Sequence, residues 1–169
     1  MRYFFVFLFF IISTISFAQD NNTKEVLKAN YASVIMYHRF GDSRYPSTNI
    51  KKEQFLKHIT ELLKPQYNII SIEKALNAIN NKSLVKDRSV VITIDDAYSS
   101  VFNYAWPIFK KHNIPFTLFV STDVIDNNTP GYMSWEQIRI LRDNGVTIGS
   151  QTKSHPHMFR LNKQNIINE

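Results

Sequence analysis

Five short apolar runs recur along the chain, centred on Val34, Ile69, Val91, Leu118 and Thr147, and helical spacing fills the stretches between them. The run Val90-Val91-Ile92-Thr93-Ile94 has no polar alternation at all, which is the pattern of a strand buried on both faces of a parallel sheet. Between Asn49 and Lys64, Ile50, Phe55, Ile59, Leu62 and Leu63 fall on one helical face, and Pro65 stops that helix. Ser71 begins a second amphipathic helix through Ile72, Ala75, Leu76 and Ile79. Val101, Tyr104, Ala105, Ile108 and Phe109 line a third, which Pro107 is expected to kink. Ser134 and Gln137 have the spacing of a capping box before Ile138 and Leu141, and Asn144-Gly145 supplies a left-handed stop. A last helix is expected from Leu161. Strands alternating with helices through short links predict an α/β fold with about five parallel strands and right-handed crossovers. Such a sheet is either open and doubly wound or most of a barrel.

Composition adds an address. Of the 169 residues, Tyr3 to Phe17 are almost wholly apolar after a positive Met1-Arg2, and Ser16-Phe17-Ala18 has the small-x-small look of a signal-peptidase site. Residues 1–18 are therefore read as a secretory signal peptide, 19–32 as a flexible leader and 33–169 as the domain. An uncleaved anchor is the alternative, but the apolar run is shorter than the roughly 20 residues that span a bilayer comfortably. Export to the periplasm, cell envelope or extracellular space follows. With no cysteine, disulfides and thiolate chemistry are excluded, and any metal must be held by His, Asp, Glu or neutral oxygen donors. The net charge of +6 comes from scattered lysines such as Lys51, Lys57 and Lys110, with no aromatic-interleaved basic block. Nucleic acid is thereby disfavoured as a partner, whereas peripheral contact with an anionic envelope fits.

The chemistry gathers where the runs end. Asp95 and Asp96 follow the central strand directly, and ligands of α/β folds bind at the carboxyl ends of strands. The plainer reading of either acid is a helix N-cap, since Ser99 and Ser100 open a helical pattern. His38 and Arg39 follow the first strand, and Gln151, His155 and His157 follow the fifth. Carboxylates and imidazoles on one rim can hold a divalent cation, with a second carboxylate free to take a proton from water. A magnesium phosphatase built on the paired acids would need a phosphate-cradling glycine-rich loop, and none is present. Trp106 and Trp135 sit at helical positions and read as core, whereas Tyr98 beside the acids reads as a substrate contact.

These residues also carry a resemblance. Thr93-Ile94-Asp95-Asp96-Ala97-Tyr98 resembles the Thr-Phe-Asp-Asp-Gly-Tyr motif of polysaccharide deacetylases, the family-four carbohydrate esterases. Gly149-Ser150-Gln151-Thr152-Lys153-Ser154-His155-Pro156 is similar to their Gly-Ser-His-Thr-x-Ser-His-Pro motif. Met36-Tyr37-His38-Arg39-Phe40 and Met133-Ser134-Trp135-Glu136-Gln137 match the layout of the branch with exported poly-N-acetylglucosamine deacetylases. The resemblance implies a partial distorted (β/α) barrel and a metal-dependent hydrolase that removes N-acetyl groups from amino sugars of an envelope or extracellular polysaccharide. It implies Asp95 as catalytic base, Asp96 and His155 as metal ligands with Gln151 at the remaining ligand position, and a divalent metal, Zn²⁺ by family default. His38, Arg39 and Tyr98 are expected to contact an N-acetylated polysaccharide or oligosaccharide. Two departures stand out: Gln151 where the family has His, and Ala97 where it has Gly, the latter tolerable at negative φ. His157 is an alternative ligand. The family's later motifs, with an Arg that orients the base and a His that protonates the leaving amine, are not located in residues 158–169. The expectation is thus a C-terminally truncated domain, with a non-catalytic glycan-binding relative or inactive fragment as the alternative function.

Overall fold

A computed structural model describes residues 27–169. The signal-peptide reading of residues 1–18 and most of the expected leader lie outside the described residues. In chain order the elements are β1 (Lys28–Ala29), β2 (Ser33–Tyr37), β3 (Arg39–Phe40), β4 (Asn49–Ile50), α1 (Lys52–Leu62), β5 (Asn68–Ile69), α2 (Ile72–Asn80), β6 (Val85–Lys86) and β7 (Ser89–Ile94). They continue as a π-helical turn (Val101–Ala105), α3 (Trp106–Lys111), β8 (Thr117–Val120), α4 (Thr122–Asp126), α5 (Trp135–Asp143), β9 (Thr147–Ser150), a 3₁₀ turn (Met158–Arg160) and α6 (Lys163–Asn168).

The five expected strands form one parallel sheet about β7, all six of whose residues are buried. β2 pairs along its length, from Ser33 opposite Val90 to Tyr37 opposite Ile94. On the other edge of β7, β5 pairs at its start and β8 at its end, and β9 continues from β8. The sheet is open, and no closed barrel forms among the described residues. Within the stretch read as a leader, Lys28 and Ala29 pair antiparallel with Lys86 and Val85, so the chain is already tied down before the domain boundary expected at Ser33.

Side chains alternate across β7, which divides the core in two. Val90, Ile92 and Ile94 pack with Phe55, Ile59 and Leu62 of α1, Phe109 of α3, and Ile138 and Leu141 of α5. Val91 faces the other way, where Ile72, Ala75 and Ala78 of α2 cover it together with Ile70 and Val85. Ile92, Ile94, Phe55 and Phe109 are wholly enclosed, each burial stabilising by roughly 1.5–3 kcal/mol. The expected face of α2 is only half used: Leu76 and Ile79 are exposed, because α2 covers a sheet face that no second helix completes among the described residues.

Pro107 has a larger effect than a kink. It cannot donate a backbone hydrogen bond, and the turn before it widens so that the Trp106 N–H reaches back five residues to the Val101 carbonyl. Val101, Ala105 and Phe109 keep the inward face through the change of pitch. Both local signals around α5 are realised. Ser134 accepts from the Gln137 N–H while the Gln137 side chain accepts from the Ser134 N–H, and Gly145 adopts φ +86°. Sequence pattern missed α4, whose five residues are too few to show a period.

Candidate active site

The strand ladder delivers the two acids and then stops. The Asp95 N–H still donates to the Tyr37 carbonyl at 2.9 Å, continuing the β2 pairing, but Asp96 and Ala97 take left-handed φ values of +68° and +52°. The backbone is held there from both sides. The Gln151 Oε1 accepts the Asp96 N–H at 3.2 Å, and the Ala97 carbonyl accepts the Met133 N–H at 2.9 Å. Ala97 therefore departs from expectation, since it does not have the negative φ that would make alanine a neutral replacement for glycine. Its methyl is fully enclosed, while a left-handed L-residue costs roughly 1–2 kcal/mol.

The reversal turns both carboxylates toward imidazoles. Asp95 Oδ2 lies 3.9 Å from His38 Nε2, and Asp96 Oδ1 lies 3.9 Å from His155 Nε2. These separations exceed a hydrogen bond and leave room for an atom between. Neither carboxylate accepts a backbone N–H among the described residues, so the helix N-cap alternative is not realised. Burial pushes the Asp95 carboxyl above its ordinary range, the Asp96 charge adds to the rise, and His38 and His155 oppose it. Asp95 and His38 are largely shielded, whereas the His155 side chain is 57% exposed on the outer lip. Thr152 and His155 also have positive φ, at +65° and +58°, so strained residues flank the acids on both contributing loops. That second loop is braced by Glu169, whose carboxylate accepts from the Ser154 N–H and hydroxyl at 2.8 and 2.7 Å.

A cavity of about 220 Å³ opens beside Asp96 and His155 and is walled by Tyr98, Ser121, Val124, Tyr132 and Ser154. Tyr98 is 7% exposed, with the Arg39 guanidinium 3.5 Å over its ring and the Tyr132 ring 4.7 Å away. Its ring faces are thus occupied by Arg39 and Tyr132. Burial and the Tyr132 hydroxyl at 3.5 Å raise the Tyr98 phenol well above its ordinary range. Arg39 is itself stacked on Tyr45 at 3.7 Å. Sequence reasoning missed Tyr45 and Glu169, because each reaches the site through a loop contact that no strand or helix period marks.

As donors for a metal, Asp96 and His155 fit a divalent cation, one carboxylate oxygen and one imidazole facing across a gap. Gln151 offers a neutral oxygen that is already turned to the Asp96 N–H. No three His, Asp, Glu or Cys side chains converge closely enough to hold a metal ion among the described residues. His157 packs near Phe159 at 5.9 Å between ring centres. Asp96 and His155 are thus two donors, one fewer than the three protein ligands an open catalytic zinc site ordinarily uses.

Fold and site together define an α/β protein with a carboxylate–imidazole cluster at the carboxyl ends of parallel strands. The polysaccharide deacetylase family model matches residues 82–169, and the chain belongs to that family. It is 25% identical over 145 residues to a poly-beta-1,6-N-acetyl-D-glucosamine N-deacetylase of Staphylococcus aureus (strain MRSA252), which covers 85% of this chain and 50% of that protein. IcaB from Ammonifex degensii superposes with a TM-score of 0.64 at 25% identity, over 82% of this chain and 59% of that one. The Streptococcus pyogenes deacetylase PplD shares the fold, with a TM-score of 0.73 at 20% identity over 85% and 64%. The chain spans about half the length of the curated relatives it matches.

Proposed function

We propose that the protein is an exported, metal-dependent hydrolase that removes N-acetyl groups from the amino sugars of an envelope or extracellular polysaccharide. The observation that carries this reading is the facing of Asp95 with His38 and of Asp96 with His155 on one rim, in a chain of the deacetylase family. In this reading Asp95 takes the proton of the attacking water. Burial, by pushing its carboxyl above the ordinary range, makes it a stronger base than an ordinary carboxylate. Asp96 and His155 hold the cation, with Zn²⁺ suited to this oxygen and nitrogen pair, and Gln151 fixes the Asp96 backbone. When bound, the cation supplies Lewis-acid polarisation of the acetyl carbonyl. His38, shielded and beside Asp95, contacts the substrate. Arg39 and the Tyr98 hydroxyl contact the sugar.

One observation favours a second reading, a glycan-binding relative without catalysis: the Gln151 oxygen is engaged by the Asp96 N–H. Calorimetric titration of the folded protein with Zn²⁺ separates the two. The hydrolase reading expects binding that Asp96→Ala and His155→Ala abolish. It also expects acetate release from N-acetylglucosamine oligomers, which Asp95→Asn lowers by about 10²–10⁴-fold. A folded protein that binds no metal and releases no acetate supports the glycan-binding reading.

A further inference from the structure

Arg39 is a cation with its partners missing. Its guanidinium carbon sits 3.7 Å from the Tyr45 ring centre and 3.5 Å from that of Tyr98, so aromatic faces cover it on two sides. Its Nε is buried without a hydrogen-bond partner. No carboxylate of the described residues lies within ion-pair distance. The acid nearest in sequence, Asp42, is engaged by Arg44, whose Nε and terminal nitrogen each donate to it at 2.8 Å. That pairing, with a smaller pull from the Arg39 charge, holds the Asp42 carboxyl below its ordinary range, and no Asp42 oxygen pairs directly with Arg39. Burying the Nε without giving it an acceptor is costly, and two stacking contacts offset that only in part.

The arrangement is rigid as well as unsatisfied. Arg39 follows His38 directly at the end of β2, its N–H donates to the Thr48 carbonyl at 3.0 Å, and the Tyr45 N–H donates to the Asp42 carbonyl at 3.2 Å. With both faces stacked, only the edge of the guanidinium is open, and that edge carries the planar N–H fork which matches a carboxylate with two parallel hydrogen bonds. Through Tyr98 the fork shares a wall with the cavity of Asp96 and His155. We propose that Arg39, clamped by Tyr45 and Tyr98, is a carboxylate-binding subsite next to the acids, and that the glycan this protein takes carries carboxylate groups along with its N-acetylamino sugars. This rests on the glycan-directed reading above and specifies the substrate class.

The test compares ligands on the unaltered protein. Calorimetry is run with an N-acetylglucosamine tetramer and with a tetramer in which glucuronate alternates with N-acetylglucosamine, each at low and moderate salt. The proposal expects the acidic tetramer to bind on the order of tenfold more tightly, with the advantage shrinking as salt rises. Arg39→Gln should weaken the acidic tetramer by more than the neutral one, so that the two bind alike, and Arg39→Lys should recover only part of the preference because a point charge lacks the fork. Equal binding of both tetramers overturns the subsite and leaves the glycan reading intact, as does a preference that survives in a folded Arg39→Gln. Binding of neither tetramer overturns both. Inorganic phosphate is titrated alongside, and phosphate competing as well as glucuronate would show a general anion site and overturn the carboxylate assignment.

Discussion

The side-chain oxygen of Gln151 accepts the backbone N–H of Asp96 at 3.2 Å, joining the end of β9 to the end of β7 across 55 residues of sequence. Gln151→Leu leaves that amide without a partner at a half-buried position. A loss of about 1–3 kcal/mol is expected, read as a lower Tm in thermal denaturation. Gln151→Glu keeps the acceptor and should stay near the parent Tm. Gln151→His should bind Zn²⁺ more tightly than the parent in calorimetry, since imidazole is the better ligand, while losing stability without metal.

Ala97 combines a left-handed backbone with a fully buried methyl. Glycine would relieve roughly 1–2 kcal/mol of backbone cost and give up about 0.8 kcal/mol of methyl burial, so Ala97→Gly should be near neutral or slightly stabilising. A β-branched side chain suits neither the φ nor the space. Ala97→Val should lose more than about 2 kcal/mol, measured by chemical denaturation.

Gly149 lies in β9 against the Phe119 ring. A Cβ there would come within 2.6 Å of both Cδ1 and Cε1. Gly149→Ala is expected to cost about 1–3 kcal/mol through displacement of the ring. Phe119→Leu in the same protein should recover part of the loss, and a double-mutant cycle reads that coupling.

Glu73 at the start of α2 accepts from the Thr147 hydroxyl of β9, and that bond holds its carboxyl below the ordinary range. A depressed carboxyl contributes stability above its unfolded pKa and loses it as pH falls through the folded value. Thr147→Val should therefore lower Tm at neutral pH by an amount equivalent to about 1 kcal/mol or less, given solvent screening. The difference should vanish when Tm is measured at pH below the carboxylate range.

The sequence by itself determined the five strands of the parallel sheet, most plainly β7, where burial on both faces forces the continuous apolar run from Val90 to Ile94. It determined the start and end of α5, since caps are local hydrogen bonds between residues three apart. It also placed Asp95, Asp96, His38, Gln151 and His155 at strand ends, and a parallel sheet brings such ends to one rim. Only the tertiary structure decided what each side chain does there. The φ of Ala97 is set by Gln151 and Met133, which are distant in sequence. The Gln151 oxygen accepts from a backbone amide because a left-handed Asp96 turns that N–H toward it. Tyr98 loses its ring faces to Arg39 and Tyr132, and Arg39 stacks on tyrosines while Arg44 makes the hydrogen bonds to Asp42. Periodicity records which way a residue faces; which neighbour satisfies it depends on loops that carry no period.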